Sequence, residues 1–123
     1  GGIVLITDAM NLAGADEGEY ALNERVVRVD NGKACLPDGT LAGSIVTMEQ
    51  AVHNLVSLVG IPLHEAVRMA SLNPARVLGI DHRKGILAVG KDADITVMDR
   101  ECNVLMTIAG GKTVYSSGIV SSA

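Results

Sequence analysis

The chain has 123 residues, 48% of them hydrophobic and 20% charged, with a formal net charge of −4 at pH 7. That is the size of one domain with an ordinary soluble core, and the core is aliphatic, because Trp and Phe are absent and only Tyr20 and Tyr115 carry large rings. An acidic balance with no basic cluster argues against nucleic acid and anionic membrane as partners, although one local site can still hold an anionic small molecule.

No apolar run approaches the roughly 18 residues that span a bilayer, and the start lacks the basic region of a signal peptide. Cys35 and Cys102 stand far apart with no CxxC spacing. They read as two reduced thiols of a cytoplasmic protein, not as a zinc knuckle or a disulfide framework.

In chain order, Ile3, Val4, Leu5 and Ile6 form a short apolar run that leads through Thr7 to Asp8. Such a run predicts a strand buried on both faces, as in parallel sheets covered by helices. A carboxylate just past it stands at the strand's carboxyl end, where α/β folds build their active sites. Asp8 is therefore the first catalytic candidate; its alternative is a turn or N-cap residue. A chain that begins almost inside a strand, with only Gly1 and Gly2 before it, is expected to be the tail of something longer.

Residues 10–19 read as a loop. Asn31-Gly32 lies between the strand-like runs 25–29 and 34–36 and predicts a hairpin with a type I′ turn; Pro37-Asp38-Gly39 predicts a second turn. After Thr40-Leu41-Ala42-Gly43-Ser44, the residues Met48, Ala51, Val52, Leu55, Val56 and Val59 make an apolar helical stripe. Thr47 and Gln50 suit its capping box and Gly60 its end. Pro62 opens a second helix with Leu63, Ala66, Val67 and Ala70 inward, and Asn73-Pro74 starts a third that stops at Gly79.

The period changes near residues 81–85. Residues 95–98, 104–109 and 112–115 are strand-like, Gly110-Gly111 is a hairpin turn, and Ile119-Val120 is a candidate edge strand. His53, His64 and His82 lack HxH or HExxH spacing and read as surface residues. The segment 90–94 lacks the phosphate-loop pattern and reads as a structural turn. Arg68 and Arg76 read as solvated or salt-bridged, Met48 and Met69 as core filler.

Four blocks resemble the metal-dependent amidohydrolases, and among them the N-acetylglucosamine-6-phosphate deacetylases: Leu5-Ile6-Thr7-Asp8-Ala9-Met10, Asp38-Gly39-Thr40-Leu41-Ala42-Gly43-Ser44, residues 66–76, and residues 85–94. The last is the tail pattern shared across amidohydrolases; the Leu-Ala-Gly-Ser loop with Thr-Asp-Ala points to the deacetylases. The resemblance implies an α/β fold class: the C-terminal fragment of a (β/α)8 TIM barrel, its last strand and helices, followed by strands of a small β-sandwich. Residues 1–80 are then the last βα unit with a hairpin inserted at about 25–36, and 81–123 the sandwich strands.

The activity so implied is hydrolysis of N-acetylglucosamine 6-phosphate to glucosamine 6-phosphate and acetate. Asp8 is the general base and acid working on a metal-activated water, and Leu41, Ala42 and Gly43 line the sugar; residues 41–44 otherwise read as a loop capped into the helix by Ser44 or Thr47. The complete enzyme carries a divalent metal, zinc or iron, on a glutamate and two histidines of earlier strands. No such segment is present here, so the fragment is expected to bind no metal and to be inactive. It is expected to pair with copies of itself or with the missing N-terminal part. Two alternatives stand beside this reading: an amidohydrolase for another N-acyl sugar or cyclic amide, and a non-catalytic, self-associating module.

Overall fold

A type I′ turn needs positive φ at both central residues, and Asn31 and Gly32 supply it at φ 48° and 71°. In the computed structural model, which describes residues 2–118, this turn joins strands β2 (Arg25–Asp30) and β3 (Lys33–Cys35), as the dipeptide predicts. Two further strands extend the hairpin: β1 (Gly18–Leu22) pairs antiparallel with β2, and β4 (Leu41–Gly43) with β3. The sheet is a four-stranded meander in sequence order.

Residues 10–19 and 41–43, expected as loops, thus each contribute strand residues. The reason for the first is local. β1 and β2 are joined through Asn23 and Glu24, both at positive φ (46° and 66°), and a glutamate there carries no hairpin signal. Pro37-Asp38-Gly39 does form the second turn: Gly39 N–H donates to the Leu36 carbonyl (2.9 Å) and Thr40 N–H to Asp38 Oδ1 (2.9 Å). Bonds from Thr40 hold the Asp38 carboxyl below its usual range.

The chain divides into two compact units, one of Ile6–Ala51 and one of Gly1–Leu5 with Val52–Ala123. In the first, strand alternation turns Val27 and Val29 inward, where they pack with Ala34 and Leu12; Met10, Tyr20, Leu36, Ala42 and Ile45 close over this cluster. Val26, Arg28 and Asp30 alternate onto the opposite, solvated face. The Tyr20 hydroxyl donates to the Asp16 carbonyl (2.8 Å) and Asn31 N–H to Glu17 Oε1 (3.1 Å), tying the approach to β1 onto the sheet.

The second unit carries α1 (Met48–Ser57, which begins in the first unit), α2 (Leu63–Ala70), α3 (Leu72–Val77) and strands β5 (Ile95–Met98), β6 (Val104–Ala109) and β7 (Lys112–Ser116). Its core is Val52, Ala66 and Cys102, with Leu5, Leu55, Val56, Ile61, Val67, Ala70 and Met98 packed against them. The stripe predicted for α1 is buried only in its middle: Met48 and Val59 are exposed, as is Leu63 of α2. Met48 and Leu63 are the first residues of their helices and Val59 lies past the end of α1, all outside the cluster, so Met48 is not core filler.

Pro62 caps α2 as expected, its carbonyl accepting from Glu65 and Ala66 N–H (2.9 and 3.1 Å). The start of α3 differs from expectation. Its N-cap is Ser71, whose hydroxyl donates to the Val67 carbonyl (2.6 Å), and Asn73 lies inside the helix, where Nδ2 donates to the Ile3 carbonyl (2.6 Å). Asn73 is thus a clamp on residues 2–5, and Leu5 N–H adds a bond to the Met69 carbonyl (2.9 Å).

The strand predicted for residues 3–6, buried on both faces, is not formed. They belong to no strand, and Ile3 and Ile6 are 66% and 68% exposed. A parallel strand takes its hydrogen bonds from neighbours on either side, and among the described residues 3–6 find only these two bonds.

The β5–β6–β7 sheet is antiparallel, with Gly110-Gly111 turning β6 into β7, as predicted. The segment before it is a structural turn held by charge. Asp92 accepts from Arg83 (3.0 Å) and Lys84 (2.9 Å), Asp94 pairs with Lys84, and Asp94 Oδ1 also accepts from Gly110 N–H (2.8 Å). Hydrogen bonds from Lys84 first, then Gly110 N–H, hold Asp94 below the usual carboxylate range; Lys84 does the same for Asp92 and is itself raised by the two carboxylates. Between β5 and β6, Asp99 accepts from Glu101 N–H, Asn103 N–H and Asn103 Nδ2 (3.0, 2.8 and 2.8 Å) and its carboxyl is lowered accordingly. Ile119-Val120 lies outside the described residues.

Candidate functional site

Asp8 lies within the Ile6–Ala51 unit, exposed, at φ 46°. Four other non-glycine residues have positive φ: Asn23, Glu24, Asn31 and Cys102. Each of those occupies a turn between paired strands. Asp8 does not, and its left-handed backbone is fixed by the next two residues, Ala9 and Met10. Ala9 forms an isolated parallel bridge with Ser44, and Met10 N–H donates to the Ser44 carbonyl (2.8 Å). On the inner side of the turn, Ala9 N–H donates to Thr7 Oγ1 (3.3 Å).

The bridge lays the Asp8 turn alongside the end of β4. Of the four residues singled out in the sequence, Asp8 and Gly43 are thereby brought next to the two bridge partners, although more than thirty positions separate them, and Leu41 and Ala42 continue β4 away from the bridge. Leu41 is 65% exposed, with Ala42 and Gly43 half-buried. An exposed carboxylate can take up and release a proton, and an exposed leucine on a strand edge offers a ligand an apolar patch. Gly43 lies close to Met10: a Cβ there would stand 2.9 Å from Met10 Sδ. Thr7 and Met10, which the sequence offered only as part of the first block, flank the Asp8 turn and make contacts across it.

A broad depression of about 510 Å³ lies elsewhere in the unit. Its lining includes Glu19, Val26, Arg28, Asp30 and Lys33, on the solvated face of the β1–β3 sheet, and neither Asp8 nor β4 contributes to it. Its mixed charges are those of an ordinary outer sheet face.

Among the described residues no group of three or more His, Cys, Asp or Glu could hold a metal ion. His64 is exposed beside Glu65 (3.7 Å), His53 lies within hydrogen-bond reach of Ser57, and His82 is exposed. A single carboxylate at Asp8 does not make a divalent metal site, so the donor set of the described residues does not fit a resident metal. No described helix is long and apolar enough to cross a membrane.

Residues 7–114 match the amidohydrolase family, and the chain is a member of it. It is 43% identical over 111 residues to the N-acetylglucosamine-6-phosphate deacetylase of Lysinibacillus sphaericus, an alignment covering 90% of this chain and 28% of that protein. It is 44% identical over 102 residues to the N-acetylgalactosamine-6-phosphate deacetylase of Escherichia coli O157:H7, covering 83% of this chain and 27% of that one. Among solved structures, the N-acetylglucosamine-6-phosphate deacetylase of Pasteurella multocida superimposes with a TM-score of 0.81 at 40% identity, over 89% of this chain and 29% of that structure. The chain thus spans less than a third of the length of these relatives.

Proposed function

We propose that this chain is the C-terminal portion of an N-acetylglucosamine-6-phosphate deacetylase, its residues 1–80 corresponding to the last βα unit of the complete barrel, whose strand is unformed in the chain alone, and 81–123 to strands of the sandwich. The observation that supports the reading is the bridge between Ala9 and Ser44, the residues that follow Asp8 and Gly43 in the chain. In this reading Leu41 and Ala42 hold the sugar by apolar and backbone contacts, and Gly43 lets the backbone come close. Asp8 takes a proton from the attacking water as its oxygen adds to the acetamide carbonyl. It then gives that proton to the nitrogen as the C–N bond breaks, leaving the amine of glucosamine 6-phosphate and acetate. The family's divalent metal, zinc or iron, lowers the pKa of such a water when bound; its ligands, by the resemblance, lie on strands that have no counterpart among the described residues.

Two measurements test this. The chain alone, given N-acetylglucosamine 6-phosphate and excess Zn²⁺, is expected to release no acetate and to hold no stoichiometric metal. Placed in the Lysinibacillus sphaericus enzyme in exchange for the stretch it matches, it is expected to support acetate release, and Asp8→Asn to lower that rate by about 10²–10⁴-fold, the usual share of general acid–base catalysis. Full activity in the Asp8→Asn exchange enzyme would remove Asp8 from the mechanism.

The similarity to an N-acetylgalactosamine-6-phosphate deacetylase, at 44% identity, favours one second reading, the sugar epimeric at C4. The ratio of kcat/KM for the two 6-phosphosugars in the exchange enzyme decides between them.

A further inference from the structure

We infer that Met10 is a positioning residue, which sets the spacing between the Asp8 turn and the β4 edge through its contact with Gly43. The inference rests on the reading of Asp8 and Leu41–Gly43 as one site. Three observations meet at Met10. Its N–H donates to the Ser44 carbonyl at 2.8 Å, fixing the backbone two residues past Asp8. The preceding residue, Ala9, bridges Ser44 in parallel register. Its side chain packs against the Val27, Val29, Ala34 and Leu12 cluster and comes so near Gly43 that a Cβ there would meet Met10 Sδ, Cγ and Cβ at 2.9, 3.6 and 3.7 Å.

The three nearest atoms to such a Cβ all belong to the Met10 side chain. Gly43 is not at positive φ, and an alanine fits its backbone. A methyl group there meets the methionine and not a conformational barrier, and the flexible thioether has to shift to admit it. A thioether on an unbranched chain suits this place because it fills an irregular gap while leaving the backbones free to approach. In this inference the approach of the Asp8 turn to β4 follows that filling: a bulkier pair at positions 10 and 43 pushes β4 away, and a smaller one lets it settle inward.

The test is a double-mutant cycle on the 123-residue chain. Amide nitrogen–proton spectra are recorded for Met10→Ala, Gly43→Ala and the double variant, and urea midpoints are measured on the same samples. Each single change is expected to displace the amide signals of Asp8, Ala9, Leu41 and Ala42. The double variant, whose new methyl group occupies part of the space the thioether leaves, is expected to return them toward their original positions and to recover part of the lost midpoint. If Gly43→Ala alone fails to fold, recovery of a dispersed spectrum in the double variant is the same result. Additive displacements, signals unmoved by Gly43→Ala, or a double variant no better than the worse single change overturn the inference. Asp8→Asn leaves this cycle intact and is read only as acetate release, so loss of the catalytic reading and loss of the Met10 contact give different results.

Discussion

Asp8 is held in the left-handed region at φ 46°, where an L-residue sits at a cost of roughly 1–2 kcal/mol that Asp and Asn tolerate better than most. Outside a turn between strands, such a conformation is the kind of local strain that clusters at functional positions. Asp8→Gly is accordingly expected to raise the stability of the chain by up to about 1 kcal/mol in urea unfolding, while removing the proposed base. Glu24→Gly, at φ 66° in the β1–β2 turn, is the control. It is expected to stabilise by a similar amount and to leave the Asp8 neighbourhood unchanged in its amide spectrum. Asp8 itself was legible in the sequence, because a carboxylate after an apolar run is a pattern. Its backbone conformation was not, since it comes from Ser44, a residue 36 positions away in the chain.

At the scale of elements, the sequence spoke clearly wherever a short-range rule decides the outcome. Asn31-Gly32 and Gly110-Gly111 specify their hairpins, and Pro62 opens α2. It was silent where partners decide: β1 is recruited by β2 across an Asn-Glu turn, β4 forms only because β3 offers an edge, and Asn73 serves the Ile3 carbonyl in place of a helix start. The packing that results can be tested at Ala66, which has no exposed surface in the second core. Ala66→Leu overfills that site and is expected to cost about 1–3 kcal/mol, whereas Leu12→Ala, under the β1–β4 sheet, should cost about 2–5 kcal/mol; both are read from urea midpoints.

The charge cluster before β5 adds a pH dependence of definite sign. Asp92 and Asp94 have lowered carboxyls in the folded chain, so their contribution is present above the unfolded value of about 4 and is lost as pH falls through the folded one. Lys84 is raised; its contribution is present below about 10.4 and lost as pH rises past that. Thermal melts are expected to show a plateau between these limits and a fall on either side. Asp94→Asn flattens the acid limb. These groups are exposed, so salt weakens the effect.

For the whole molecule, the governing fact is that a chain matching 28% of the Lysinibacillus sphaericus enzyme leaves apolar side chains such as Ile3, Ile6, Leu58, Val77, Leu78 and Leu87 open to water. Side chains of this kind in such number favour association. Sedimentation equilibrium at micromolar concentration is expected to show a dimer or a higher species; a monodisperse monomer counts against self-association. The membership of the family was legible in four short blocks of sequence. The exposure of residues 3–6 was not, because an apolar run says that a surface is to be covered without saying by what.

The two thiols fall one to each unit: Cys35 half-buried on β3 among Ile6–Ala51, and Cys102 at 4% exposure in the core of the other. Cys102 is therefore a chemical clock for the core around it, and Cys35, which lines the depression on the outer sheet face, is its reference. Mass spectrometry of the two peptides from one quenched sample sets the alkylation of Cys102, which waits for that core to open, against the prompt alkylation of Cys35.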